Sequence, residues 1–133
     1  MAIDVRGLSP LLAVFDMPTS IAFYCGTLGF EILKTSAPGE DFDWAWLRLG
    51  AAEVMLNTAY EKEERPEEPD PGRAASHSDV TIYFGCPDVD GTYALLRTRG
   101  VDVPPPVVQP YGMKQLTIVD PDGFRLCFQW TAS

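Results

Sequence analysis

The feature of this sequence that most constrains its fold is an internal repeat with a spacing of 72 residues. Few identities are shared between the halves, so the repeat lies in the order and spacing of the predicted elements. The offset shrinks to 71 between Gly29 and Gly100 and is regained in a later turn. A duplicated β-α-β-β-β unit is uncommon and narrows the possible folds sharply. Four pairs of positions stand 72 residues apart: Ser9 and Thr81, Asp16 and Asp88, Ala22 and Ala94, and Met55 and Cys127.

The first half of the chain predicts one complete unit. Residues 9–15 are an apolar strand, and residues 16–20 supply the capping residues and the proline that suit a helix start. A second strand is predicted at 30–33, and two further strands at 44–57 are joined by a tight turn. The helix can end at Gly29, and its apolar face is predicted to consist of Ile21, Tyr24, Cys25 and Leu28.

The pattern starts again after a change in composition. Residues 59–78 are rich in acidic residues and proline, which predicts an extended linker. We therefore expect one domain, 1–133, made of module 1 (7–58), this linker and module 2 (79–131). In module 2, strands are predicted at 80–86, 101–103, 114–119 and 124–130, with a helix that opens at Asp88 and ends at Gly100.

Composition excludes several classes of function. With 133 residues and 46% hydrophobic content, the chain can bury a useful core as one domain. The net charge of -9 argues against nucleic acid or an anionic membrane as a partner, because both attract basic patches. No apolar run approaches the ~20 residues of a membrane span, and no signal-peptide pattern is present. Three cysteines without a close pair predict a reduced, cytoplasmic protein.

The stretch from Trp44 to Asn57 carries the clearest sign of a binding site. Two large aromatic rings beside a charge suit a concave pocket wall. An outer sheet face covered by a loop or by a partner subunit would explain them equally well, so both interpretations stay open from these residues alone. Alternation sorts the first strand into two faces, with Trp44, Trp46 and Arg48 on one and Ala45, Leu47 and Leu49 on the other.

Four segments carry a family resemblance: Leu11-Leu-Ala-Val14-x-Asp16, Ala22-Phe-Tyr24-x-x-x-Leu28-Gly29-Phe30, Trp46-Leu-Arg-Leu-Gly50-x-x-Glu-x-Met-Leu56 and Asp120-Pro-Asp-Gly-Phe-x-Leu-x-Phe128. Together they resemble the vicinal oxygen chelate superfamily, which includes glyoxalase I, extradiol dioxygenases and bleomycin-resistance proteins. The chain is closest in character to the metal-free bleomycin-resistance branch. The resemblance implies an α+β fold of two tandem β-α-β-β-β modules. They would form a cup-shaped, partly open mixed β-sheet, with helices on the outer face and the site on the concave face.

The resemblance also identifies the positions of metal ligands. A hard divalent ion prefers imidazole and carboxylate, and neither group occurs at these positions, so we expect no metal and no cofactor. An improvised pair of Glu53 with His77, the only histidine, stays open, although a strand acid and a loop histidine explain these residues better. In metal-dependent members, His or Glu ligands come from the first and last strand of each module, and the matching positions here are Ser9, Met55, Thr81 and Cys127.

The same mapping assigns a face to the candidate pocket residues. Cys127 would face the pocket as a small buried thiol rather than a nucleophile, because no base is evident nearby. Tyr111 would lie at the rim, and no catalytic residue is assigned. The residues predicted to bind a small-molecule ligand are Trp44, Trp46, Arg48, Met55, Asn57, Tyr83, Met113 and Gln115.

The leading hypothesis is metal-independent binding of a small aromatic or cationic molecule in an aromatic-lined pocket, as in drug or antibiotic sequestration. The alternative is a glyoxalase- or dioxygenase-like lyase, isomerase or oxidoreductase with a non-standard metal site or none. A third hypothesis is an interaction module whose cup is vestigial. The resemblance also favours a homodimer, in which modules pair within one chain or are exchanged between two.

Overall fold

The computed structural model describes residues 1–132 of the chain. These residues form two compact units, unit 1 (Met1–Pro66) and unit 2, which begins at Glu67. The boundary lies inside the segment predicted as a linker. Among the described residues, no helix combines the length and the apolar character that crossing a membrane requires.

Unit 1 has the predicted β-α-β-β-β order. Its helix, α1 (Met17–Ile21), continues directly into a π-helical segment (Ala22–Thr27), after which Leu28 N donates to Phe23 O at 3.0 Å. Asp16 caps α1 by accepting a hydrogen bond from Thr19 N. The four strands are β1 (Leu11–Val14), β2 (Glu31–Thr35), β3 (Trp44–Leu49) and β4 (Ala52–Thr58).

The sheet of unit 1 runs in the order β1-β4-β3-β2. β1 is parallel to β4, and the other neighbouring strands are antiparallel. Leu49 pairs with Ala52 across a two-residue turn, which is one residue shorter than predicted. Gly50 has a φ of 58° in this turn, a conformation that glycine adopts without a steric cost.

Unit 2 repeats the topology of unit 1. Its elements are β5 (Thr81–Gly85), α3 (Val89–Thr98), β6 (Val107–Val108), β7 (Met113–Val119) and β8 (Arg125–Thr131). The sheet runs in the order β5-β8-β7-β6, with β5 parallel to β8. The register repeats as well, since Leu11 lies opposite Met55 and Tyr83 lies opposite Cys127. The predicted α+β class with tandem β-α-β-β-β units is therefore confirmed.

One face of each sheet is buried. α1 contacts β4 in unit 1, and α3 contacts β7 and β8 in unit 2. Tyr24, on the predicted helix face, is completely buried with its ring edge-on to Phe30 at 5.6 Å. The alternation predicted for β3 is confirmed, because Ala45 and Leu47 are buried. The buried strand positions are Leu12, Val14, Ala45, Leu47, Val54 and Leu56 in unit 1 and Phe84, Leu116, Ile118, Leu126 and Phe128 in unit 2.

The prediction of an extended linker at 59–78 is wrong in its second half. Pro71–Ser76 form a helix, α2, which is followed by a 3₁₀ turn (His77–Asp79). Asp70 caps the helix by accepting a hydrogen bond from Gly72 N at 3.0 Å. Pro71 suits the first turn, where no N–H donor is needed. The acidic, proline-rich composition before this helix concealed its local start signal.

Side chains of α2 and of the 3₁₀ turn fix them to the turn between β7 and β8. Arg73 Nη1 forms an ion pair with Asp122 Oδ1 at 3.1 Å, and Asp122 is buried. His77 Nδ1 donates to Asp122 O at 2.6 Å. The His77 ring stacks on Phe124 with a centroid separation of 4.0 Å. This segment therefore belongs structurally to unit 2.

The turn between β7 and β8 is organised by a buried carboxylate. Asp120 Oδ1 accepts hydrogen bonds from Asp122 N and Phe124 N, both at 2.9 Å. Gly123 follows with a φ of 91°, and a Cβ at this position would overlap the backbone carbonyl of Ala74 in α2. Only glycine therefore combines this conformation with the close approach of α2.

The strand predicted at 101–103 is absent. Gly100 has a φ of 80°, and Val101 N bonds back to Leu96 O at 3.0 Å, so the chain closes the end of α3 at this point. The three prolines that follow have no N–H to donate to a strand ladder. Pairing with β7 therefore begins only after them, in β6.

We expect Leu47→Ala to lower the free energy of unfolding by ~2–5 kcal/mol, because it removes a fully buried side chain. Trp46→Ala should cost less than the ~3–5 kcal/mol typical of a buried aromatic residue, since Trp46 is only half-buried on the opposite face. Urea unfolding of both variants and the wild type measures the difference. Equal losses of about 4 kcal/mol in both variants would contradict the assignment of faces.

Candidate functional site

The sheet of each unit has one face whose side chains are not part of the core, and we call these the unit 1 face and the unit 2 face. In unit 1, the antiparallel register places Trp44 opposite Asn57 and Trp46 opposite Met55. The structure thus brings together all five pocket residues predicted in module 1. The unit 1 face consists of Trp44, Trp46, Arg48, Glu53, Met55 and Asn57.

A hydrogen bond fixes the indole of Trp46. Its Nε1 donates to Oε1 of Glu53 at 2.8 Å, diagonally across the β3–β4 hairpin. The bond satisfies the one polar atom of a half-buried ring, so the rest of the ring can serve as apolar contact surface. Glu53 was predicted to face this side but was not included among the ligand-binding residues. Its position two residues from the cross-strand neighbour of Trp46 was the available signal.

Arg48, predicted as a polar anchor for a ligand, is paired within the sheet. Its Nε and Nη2 donate to the same oxygen, Oε1 of Glu31, at 2.9 and 2.6 Å. The β2–β3 register places these two residues opposite each other. Both side chains are exposed, so the pair contributes little to stability. It nonetheless balances the charge of Arg48 inside unit 1.

The unit 2 face carries a polar cluster beside an exposed aromatic ring. Tyr83 is 56% exposed and lies opposite Cys127, which is buried as predicted. Gln115 Nε2 donates to Gln129 Oε1 at 2.9 Å, and Gln115 Oε1 accepts a hydrogen bond from Tyr111 at 3.2 Å. The predicted rim residue therefore orients a predicted pocket residue. The pocket residues predicted in module 2 that lie on this face are Tyr83, Met113 and Gln115.

The side chains at the positions that the resemblance assigns to metal ligands do not fit a divalent ion. Ser9 and Thr81 offer hydroxyls, Met55 a thioether and Cys127 a thiol, whereas such an ion prefers imidazole and carboxylate. The Ser9 hydroxyl is buried without a hydrogen-bond partner in the described chain. Across residues 1–132, no group of three or more His, Cys, Asp or Glu side chains is placed to hold a metal ion.

The residues of the improvised metal pair are engaged separately, each within its own unit. Glu53 accepts the hydrogen bond from Trp46 in unit 1. His77 donates to the backbone of Asp122 and stacks on Phe124 in unit 2. These contacts explain both residues without a metal.

Known proteins resemble the chain along nearly its whole length. The family model of the Glyoxalase/Bleomycin resistance protein/Dioxygenase superfamily matches residues 8–128. A probable lactoylglutathione lyase from Synechocystis sp. is 28% identical over 132 residues, which cover 95% of this chain and 95% of the relative.

Solved structures of antibiotic-binding proteins share the fold. TnmS3, an antibiotic-binding protein from Streptomyces sp. CB03234, is 25% identical with a TM-score of 0.70, over 98% of each chain. A bleomycin-binding protein solved in complex with bleomycin is 21% identical with a TM-score of 0.70, over 96% of this chain and 99% of its own.

We expect the purified protein to contain no stoichiometric transition metal, because its candidate ligand set is two hydroxyls, a thioether and a thiol. A chelator should accordingly leave the melting temperature unchanged. Elemental analysis and thermal unfolding with and without EDTA test both points. About one equivalent of zinc, nickel, manganese or iron, with stability lost on chelation, would refute this expectation.

Proposed function

Because the chain belongs to the Glyoxalase/Bleomycin resistance protein/Dioxygenase superfamily, we propose that it binds a small organic molecule on its open sheet faces without a metal. The unit 1 face supplies the main contact surface. The observation that carries this proposal is the half-buried pair Trp44 and Trp46, with the second indole held by Glu53 at 2.8 Å. A ring fixed before binding loses little conformational freedom when a ligand packs on it.

The chemistry of this face favours a planar ligand with polar edges. Indole rings stack on flat aromatic groups, and the Met55 thioether adapts its shape to an aromatic neighbour. Asn57 is exposed, and its amide nitrogen reaches Thr58 O only at 3.4 Å, so the side chain can turn toward a ligand. Arg48 contributes through the outer edge of its pair with Glu31.

The unit 2 face adds a second, more polar set of contacts. Tyr83 offers an exposed ring, and Met113 offers an apolar side chain. Gln115 is already oriented by Tyr111 and Gln129, so its amide presents fixed hydrogen-bonding groups. We propose that these three predicted residues contact the ligand as well.

Antibiotic or drug sequestration is the function that this arrangement supports best. TnmS3 is described as antibiotic-binding, and the bleomycin-binding protein was solved with its ligand. The net charge of -9 adds attraction for a cationic compound. Catalysis as a lyase is the second candidate, and one observation favours it: the relative from Synechocystis sp. is a probable lactoylglutathione lyase.

We infer a reducing, cytoplasmic location from the thiols. Cys25, Cys86 and Cys127 are all free. Burial raises the pKa of the Cys25 thiol, which therefore stays protonated and unreactive at neutral pH.

We expect Trp46→Ala and Trp44→Ala to weaken ligand binding by ~30-fold or more, because a stacked aromatic anchor contributes ~2 kcal/mol. Metal-free bleomycin and a panel of planar aromatic compounds serve as probes, with isothermal titration calorimetry as the measurement. Trp130→Ala is the matched control, since Trp130 is also partly exposed but lies on the opposite face of its sheet.

Three outcomes would count against the proposal. Unchanged affinity in the Trp44 and Trp46 variants would move the site away from the unit 1 face. An equal loss in Trp130→Ala would indicate a general effect of removing tryptophan. Turnover of the hemithioacetal of methylglyoxal and glutathione by the purified protein would favour the lyase instead.

We further propose that the protein forms a homodimer, as the family resemblance implies, with two equivalent ligand sites. Light scattering at micromolar concentrations should then give twice the chain mass of 14.7 kDa. A monomer mass throughout this concentration range would refute the proposal.

A further inference from the structure

Unit 1 contains a cavity of about 250 Å³ that the proposed ligand-binding face does not include. It lies where β1 and β4 end and β3 begins, and none of the tryptophans on the unit 1 face lines it. Its volume is slightly below the range of pockets that hold drug-sized ligands. Three half-buried aromatic residues contribute to its wall: Phe15, Phe42 and Tyr60.

The chain's own Arg65 shows which chemistry this cavity accepts. Its guanidinium carbon lies 5.1 Å from the centroid of the Phe15 ring. Arg65 Nη1 also donates to Asp16 Oδ1 at 2.6 Å. Tyr60 packs edge-on against Phe15 at 6.3 Å and so supports the ring that the cation covers. One end of the cavity is therefore an aromatic and carboxylate cradle that holds an organic cation.

The charges on the cavity wall remain unbalanced after the internal ion pairs are formed. Asp16 is paired with Arg65, and Lys62 Nζ lies 3.0 Å from Asp41 Oδ2. The wall also carries Glu40 and Asp43, which take part in no ion pair of the described chain. The hydroxyl of Thr19 donates to Asp16 and lowers the pKa of that carboxyl, which keeps it anionic at neutral pH.

We propose that this cavity binds a small organic cation of the guanidinium, amidinium or alkylammonium class, with Glu40 and Asp43 balancing its charge and the aromatic wall covering its apolar part. An anion would be repelled by the surplus of carboxylates. A bare metal ion is disfavoured because the carboxylates do not cluster as a metal site does. The cavity is separate from the proposed function, which depends on the unit 1 face.

Benzamidine and benzamide provide a matched pair of probes, since they have nearly the same shape and only the first is cationic. With isotope-labelled full-length protein, benzamidine should shift the backbone amide signals of Phe42, Asp43 and Tyr60. Benzamide should leave them in place. Equal shifts with both compounds, or none with benzamidine, would overturn the proposal.

Charge substitutions then locate the site. The double variant Glu40→Gln with Asp43→Asn should weaken benzamidine binding about tenfold, because it removes the unpaired carboxylates. Glu67→Gln with Glu68→Gln changes the net charge equally at exposed positions outside the cavity and should bind as the wild type does. Equal weakening in both double variants would reduce the effect to overall charge and refute a defined site.

Removing the internal cation gives an independent test. Arg65→Gln should raise the affinity for benzamidine several-fold, because it frees the Asp16 carboxylate and the Phe15 ring. Arg97→Gln makes the same charge change at an exposed position in unit 2 and should have no such effect. A gain shared by both variants, or shifts confined to signals of Trp46 and Met55, would assign binding to overall charge or to the unit 1 face instead.

Discussion

The parallel pairing of the first and last strand in each unit is the constraint on which the other structural features depend. Because β1 bonds to β4 and lies parallel to β2, the chain must cross the sheet between β1 and β2, and α1 with its π-helical extension provides this crossover. The register then decides which side chains are buried. A slip of one residue would move Leu12 and Val14 out of the core and turn Leu11 into it.

Much of the fold and part of the candidate site could be predicted because both follow from local alternation and spacing. Leu47 between two tryptophans assigns both faces of β3 without any knowledge of the tertiary structure. The pairing of Arg48 with Glu31 could not be predicted, because it depends on a β2–β3 register that contains an irregularity. The attachment of His77 to Asp122 likewise joins residues 45 positions apart, and composition gave no sign of it. The strand at 101–103 failed because an apolar run carries no information about hydrogen-bond partners.

The two units have the same topology but different surface chemistry. Trp46 lies opposite Met55 in unit 1, and at the equivalent positions of unit 2 Thr117 lies opposite Cys127. The exposed positions thus diverged while the register was kept. This asymmetry is why the proposed ligand contact depends mainly on unit 1, with unit 2 in a supporting role. It also illustrates how one scaffold can carry unrelated activities, since the face residues contribute little to the core.

The attachment of α2 to the turn between β7 and β8 limits where this chain can be lengthened. Composition suggests a spacer of 59–78, yet Arg65 is tied to Asp16 of unit 1 and Asp70 already caps α2 of unit 2. Only residues 66–69 lie between these two anchor points. Added residues are tolerated best where the backbone makes few contacts, so an inserted tag or reporter domain belongs within this short interval. An insertion a few positions later would separate α2 from the turn and expose the buried carboxylate of Asp122.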